Sequence, residues 1–272
     1  MLKLEQYIAD WPDIDFANFR AWLDYGVATW PDNGALRYRR GGTGDFTEWT
    51  YRELGEHARA IAAQLTAARL EPGDRVLLWA ENRPEWVAVW IGTVIAGYVI
   101  VPVDATISVE DAAEIAGATD ARAIFVSDRK SGALPTLAKR ARQAATTVVI
   151  DTEQYQEYVH HAPEVTLPAG EDIAPDHPAS IIYTSGTTGL SKGVTLTHHG
   201  IIANANASIL SLPIYESDIF MGVLPFHHTY PTTCAVISPL SVGASVTIVE
   251  KVVGKVIVND VRDSGGTIMI AV

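Results

Sequence analysis

The chain is short of cysteine and of positive charge. Only one of its 272 residues, Cys234, is a cysteine, so an internal disulfide is excluded and a reducing, cytoplasmic setting is expected. Lysine and arginine number 20 against 32 aspartates and glutamates, a net charge of −12. That balance repels phosphate backbones and anionic lipid, and it argues against nucleic acid as a partner. The opening residues hold Lys3, Glu5, Asp10, Asp13 and Asp15 with no basic start leading into an apolar stretch, so no signal peptide is visible. Charge of either sign makes up only 19% of the chain, while 48% is apolar. A largely disordered chain is thereby excluded, and a large core is available.

The run from Trp86 to Val103 carries no charge over eighteen residues, about the lower limit for a membrane span. Gly92, Gly97 and Pro102 interrupt it. It divides better into a buried helix ending near Gly97 and a buried strand from Tyr98 to Val103, so no membrane span is expected.

Elsewhere helical and strand patterns alternate. Thr50 and Glu53 form a capping box ahead of Leu54, Ala58, Ile61 and Leu65, which share one helical face. Pro72-Gly73-Asp74 is a turn. Strands are predicted at 75–80, 123–127, 146–150, 180–184, 194–197, 220–224, 244–249 and 267–272. The pattern predicts an α/β fold with mainly parallel sheets flanked by helices. Residues 162–178 hold four prolines and no lysine or arginine, and read as a surface connection between two lobes. The expected division is 1–170 for the first lobe and 171–272 for a second, incomplete one. Because the chain closes inside the apolar run Gly266–Val272, we expect a piece of a longer protein. Apolar surface around Ile268, Ile270 and Val272 should favour self-association or a homo-oligomer.

The segment Tyr183–Val194, Y-T-S-G-T-T-G-L-S-K-G-V, carries the chemistry. Glycine-freed amides, hydroxyl donors and one ammonium suit a polyphosphate. Lys192 is the only lysine or arginine between Arg142 and Lys251, so it stands as a lone cation in this region. The plain alternative is a surface hairpin rich in small polar residues. The Walker pattern G-x-x-x-x-G-K-S/T fails, with Ser191 and Gly193 at required positions. The letters Gly189-Leu190-Ser191-Lys192-Gly193 match the serine-hydrolase elbow, but that motif needs a helix directly after it, and a β pattern follows.

This segment resembles the phosphate-binding loop of the adenylate-forming superfamily, which includes acyl-CoA synthetases, firefly luciferases and the adenylation domains of peptide synthetases. The usual loop has proline before the lysine; here Ser191 stands there. Trp49-Thr50-Tyr51-Arg52-Glu53-Leu54 resembles that family's first motif. The stretch from Ala96-Gly97-Tyr98 to Pro102-Val103-Asp104 resembles its second, and Leu224-Pro225-Phe226-His227-His228 its fourth. The resemblance runs from about Phe19 onward. It implies a two-lobed N-terminal domain of the acyl-CoA synthetase-like fold, truncated here.

It also implies use of ATP, Mg²⁺ and coenzyme A by a ligase that joins a carboxylic acid, by preference a fatty acid, first to AMP and then to a thiol. Thr184, Ser185, Gly186, Thr187, Thr188, Gly189 and Lys192 are then the phosphate-binding residues. Lys192 and His228 are the catalytic candidates, with His228 lining the acyl pocket. Packing of His228 against His227 at a helix start is the alternative for that residue. No metal site is expected from His227, His228 and Cys234, because no fourth ligand lies at a recognisable spacing. His198-His199 is expected to open a helix and His160-His161 to end one. By resemblance the remaining catalytic motifs lie beyond Val272, so the chain alone is expected not to turn over. An adenylation domain feeding a carrier protein, or a non-catalytic phosphate-binding fragment, are the competing readings.

Overall fold

Successive residues of β3 (Arg75–Trp79) point to opposite faces of their sheet, and each face meets its own core. Val76 and Leu78 enter one core, Leu77 and Trp79 the other. β4 (Val99–Val103) and β5 (Ala123–Val126) divide in the same way and are buried throughout. A sheet covered on both faces needs apolar residues at every position, which accounts for the uncharged run through Val103. Full burial contributes roughly 1.5–3 kcal/mol for each large aliphatic side chain.

The computed structural model describes residues 14–141, 144–184 and 192–271. Among these, one sheet of six strands has the order β6 (Thr146–Val149), β5, β3, β4, β7 (Pro178–Thr184), β8 (Lys192–Thr197). Its pairs are parallel except the β7–β8 hairpin. A second sheet of five strands has the order β11 (Ile268–Met269), β9 (Ile219–Gly222), β10 (Ser245–Ile248), β1 (Gly34–Tyr38), β2 (Thr47–Thr50). Here only β1–β2 is antiparallel.

Helices α1 (Phe19–Thr29), α2 (Tyr51–Ala67) and α3 (Pro84–Val94) contribute to the core shared by the two sheets. α3 touches β1 of one sheet and β3 and β4 of the other. The capping box opens α2 as expected: the Glu53 amide donates to Thr50 Oγ1 at 3.2 Å, and the Thr50 amide donates to Glu53 at 2.7 Å. Leu54, Ala58, Ile61 and Leu65 are all buried. α2 and α3 approach closely at Gly92, where a Cβ would lie 2.6 Å from the Ala58 carbonyl oxygen and 2.8 Å from Ile61 Cβ. α4 (Val109–Ala118) and α5 (Leu134–Ala141) cover the opposite face of the six-stranded sheet. α6 (Glu153–His160) follows β6, α7 (His198–Ser211) follows β8, and α8 (Gly254–Ser264) follows β10. Among the described residues no helix is long and apolar enough to cross a membrane.

Sheet membership cuts across the boundary expected at residue 170. The β7–β8 hairpin belongs with β3–β6, and residues 162–177 join α6 to β7 within one sheet rather than linking two lobes. The five-stranded sheet takes β1 and β2 from early in the chain and β9–β11 from late in it. β1 and β2 were absent from the sequence expectations: they are short, and β2 is exposed or half-buried, so no apolar run marks it. The strand expected at 267–272 is reduced to Ile268–Met269, with Val272 outside the described residues.

Candidate functional site

The connection after β3 runs to α3 on one face of its sheet, and the connection after β4 runs to α4 on the other. Neighbouring parallel strands that part in this way open a crevice at their carboxyl ends, where ligands bind in open α/β sheets. Asn82 stands just past β3, Asp104 just past β4 and Thr184 at the end of β7. β4 and β7 pair in parallel at Ile100 and Ser180, and Asp104 and Thr184 each lie four residues further along.

The hairpin at this edge places Thr184 opposite Lys192 as the last pair of the described ladder. Both are exposed, and among the described residues Lys192 makes no ion pair. Ser185, Gly186, Thr187, Thr188 and Gly189 lie outside the described residues. Lys192 begins a strand, where a nucleophile elbow requires a helix, so the hydrolase alternative fails.

The second sheet delivers the two histidines. Past β9 the chain turns through Leu224–His228, and Asn82 holds this turn from the other sheet. Its Nδ2 donates to the Leu224 carbonyl at 2.8 Å, and its Oδ1 accepts the Phe226 amide at 2.8 Å. The Thr232 hydroxyl donates to the carbonyls of Phe226 and His228. His228 is exposed at the start of a helical run that passes through a π-helical turn, Thr232–Ile237. π turns recur beside functional sites.

His227 is buried, with its ring centroid 4.0 Å from that of His228 and its Nε2 3.6 Å from Asp104. Burial, with His228 second, pushes His227 down to about 4 against the pull of Asp104. It is therefore neutral at pH 7. Burial alone would raise the Asp104 carboxyl, but the Thr106 amide and hydroxyl, each at 2.8 Å, and the two histidines hold it below the usual carboxylate range. Trp79 Nε1 fixes the Asp104 backbone by donating to its carbonyl at 2.9 Å. Beside Asn82, the buried Arg83 lies 2.5 Å from Asp151 and 3.8 Å from Glu85. That cluster anchors the start of α3 under the crevice.

His198 opens α7, and His160 closes α6 with His161 beside it, both exposed. Among the described residues no three of His, Cys, Asp and Glu converge as a metal cradle. Magnesium is implied by the resemblance alone, and beside substrate phosphates and water it would ask for only one or two protein carboxylates. Asn82 was missed from sequence. Its signal was a lone side-chain amide in the strand-to-helix turn Glu81-Asn82-Arg83-Pro84, at the carboxyl edge of a buried strand.

A family model described as AMP-binding enzyme matches residues 23–272. The chain belongs to the AMP-binding enzyme family. It is 30% identical over 219 residues to a crotonobetaine/carnitine–CoA ligase of Proteus sp. (strain LE138), covering 76% of this chain and 42% of that protein. It is also 30% identical over 224 residues to the peroxisomal long chain acyl-CoA synthetase 7 of Arabidopsis thaliana, covering 76% of this chain and 32% of that one. The solved anthranilate CoA ligase AuaEII in complex with anthranoyl-AMP superimposes with a TM-score of 0.84 at 21% identity, over 96% of this chain and 49% of that one. The fold is therefore that of adenylate-forming enzymes. The chain spans less than half the length of each of these proteins.

Proposed function

We propose that these residues form the phosphate-holding part of an ATP-dependent acyl-CoA ligase acting in the cytoplasm. The carrying observation is Lys192 facing Thr184 at the base of the glycine–threonine loop, in a chain matching the AMP-binding enzyme family over residues 23–272. Thr184, Ser185, Gly186, Thr187, Thr188, Gly189 and Lys192 hold the β- and γ-phosphates. A substrate carboxylate oxygen bonds to the α-phosphorus while the bridge to the β-phosphate breaks. Pyrophosphate leaves with the bond pair, its charge met by Lys192 and the loop amides. The thiol of coenzyme A then attacks the acyl carbon and AMP departs. His228 borders the reacting carboxylate. A fatty acid is the substrate, supported by the similarity to a long chain acyl-CoA synthetase.

The full reaction belongs to a longer chain, because the 272 residues span less than half of their relatives. Alone they bind polyphosphate through the loop and do not turn over. The test is fatty-acid-dependent exchange of pyrophosphate into ATP by the longer protein, beside calorimetric titration of the 272-residue chain with ATP and with pyrophosphate. Exchange is expected only in the longer protein, with ATP and pyrophosphate binding the short chain about equally and at roughly millimolar strength. Exchange that ignores added acid would overturn the ligase reading. Micromolar, base-selective ATP binding by the short chain would overturn the assignment of binding to the loop alone.

A further inference from the structure

Among the described residues Asn82 makes no hydrogen bond to a histidine side chain, yet it satisfies two backbone groups of the turn that carries both histidines. Its partners lie 142 and 144 residues away in sequence and follow a strand of the other sheet. Asn82 itself sits in the short turn between β3 and α3, whose next residue is pinned by the Arg83–Asp151 ion pair at 2.5 Å. An amide is the group for this task, since it donates and accepts in one plane and so copies a strand neighbour. From the turn's other side the Thr232 hydroxyl takes the carbonyls of Phe226 and His228. Leu224, Phe226 and His228 are thus held at the backbone, and the His227 ring is delivered to Asp104 with little freedom.

We propose that Asn82 is a positioning residue for the His227–His228 turn, a clamp from the carboxyl edge of one sheet onto the histidine turn of the other. Its catalytic consequence rests on the ligase reading; its structural consequence does not. Removing the clamp releases the turn without emptying either core, since Asn82 is half-buried and belongs to neither.

Two readouts on the 272-residue chain test the clamp. In Asn82→Ala, hydrogen exchange at the Phe226 amide is expected to rise about tenfold, as for loss of one hydrogen bond, with the Val246 amide in β10 unchanged. Carbethoxylation mapped by mass spectrometry is expected to reach His227, which is protected in the unaltered chain, while His198 stays protected. Asn82→Asp keeps the acceptor for Phe226 and loses the donor to Leu224, so it is expected to preserve the Phe226 amide and expose His227 only in part. Thr119→Val, which removes a buried hydroxyl from the far side of the six-stranded sheet, is expected to lower the melting temperature without moving either readout. In the longer ligase, Asn82→Ala is expected to lower kcat for adenylate formation about tenfold with KM for ATP unchanged. Unchanged exchange at Phe226 overturns the clamp. Equal exposure of His227 in Thr119→Val overturns it too, by reducing it to general loosening. Absence of adenylate in the unaltered longer protein overturns the ligase reading and with it the catalytic half of this proposal, while the exchange result still decides the clamp.

Discussion

Nδ1 of His198 accepts the backbone amide of Phe19 at 3.2 Å, joining residues 179 apart in the chain. A ring nitrogen that accepts carries no proton, so the bond fixes the neutral Nε2–H tautomer. His198 is fully buried between α1 and the hairpin's following helix. Burial, with the nearby His177 second, pushes it from its usual 6.5 down to about 4.

This sets a pH dependence of stability. The unfolded chain takes up a proton near pH 6.5 and the folded chain does not until about pH 4. The contribution is therefore complete above 6.5 and is lost as pH falls toward 4, by up to about 3 kcal/mol. His198→Asn keeps an acceptor for the Phe19 amide and removes the titration. Urea unfolding at several pH values between about 7 and 4.5 is expected to show a shallower loss in this variant. Identical slopes would mean that His198 is not the group responsible.

Lys192 has no substitute in the sequence around it. Lys192→Ala is expected to weaken pyrophosphate and ATP binding by about tenfold or more, the scale of a charge-assisted hydrogen bond. The helical and sheet content should not change, because Lys192 is exposed at a strand end. Titration calorimetry reads the first and circular dichroism the second; undiminished binding removes Lys192 from the site.

Arg39 and Asp260 form a buried ion pair between the end of β1 and α8, with Nε to Oδ1 at 2.7 Å and side-chain exposures of 6% and 1%. Asp260→Ala leaves the guanidinium without that partner, with Asp263 remaining at 2.9 Å. The expected cost is about 3 kcal/mol by chemical denaturation. Replacing both residues by apolar ones of similar volume should recover most of the loss. A double variant no better than the single one would show that the charge was not the cause.

Gly92→Ala sets two effects against each other. Alanine favours a helix over glycine by about 1 kcal/mol. The added methyl would stand 2.6 Å from the Ala58 carbonyl oxygen, which belongs to the backbone of α2 and cannot swing aside. Overpacking at such a contact costs about 1–3 kcal/mol, so net destabilisation and a lower melting temperature are expected. A raised melting temperature would show that α2 can move away from α3.

Much of the local structure was legible because it depends on near neighbours. The Thr50–Glu53 capping box and the buried Trp86–Val103 helix and strand follow from spacing, and each is present. The strands expected at 180–184 and 194–197 do pair, but the second begins two residues earlier, at Lys192. Sheet membership was not legible. The apolar period of β10 states that it is buried, not that Val246 lies beside Leu36. The second strand of that sheet's antiparallel pair, β2, lacks even the period. At the site, the loop was legible because its composition is unusual. Asn82 was not, because its role lies in the backbone it meets, and those atoms are common to every residue.

The pairing of β1 with β10 also governs how the molecule can be assembled during synthesis. Leu36 is translated about two hundred residues before its partner Val246, whereas every strand of the six-stranded sheet lies between residues 75 and 197. At roughly 5–20 residues per second, the β1–β2 hairpin waits about ten to forty seconds for its parallel neighbour. For most of that interval the other sheet is still being made, since β8 ends at Thr197. From then until β10 follows, Ala35 and Leu36, both buried in the finished protein, stand on an unfilled strand edge beside a sheet whose six described strands are already present. The early hairpin is thus the segment most exposed to mispairing on the ribosome, and the one on which a nascent-chain chaperone would have most effect.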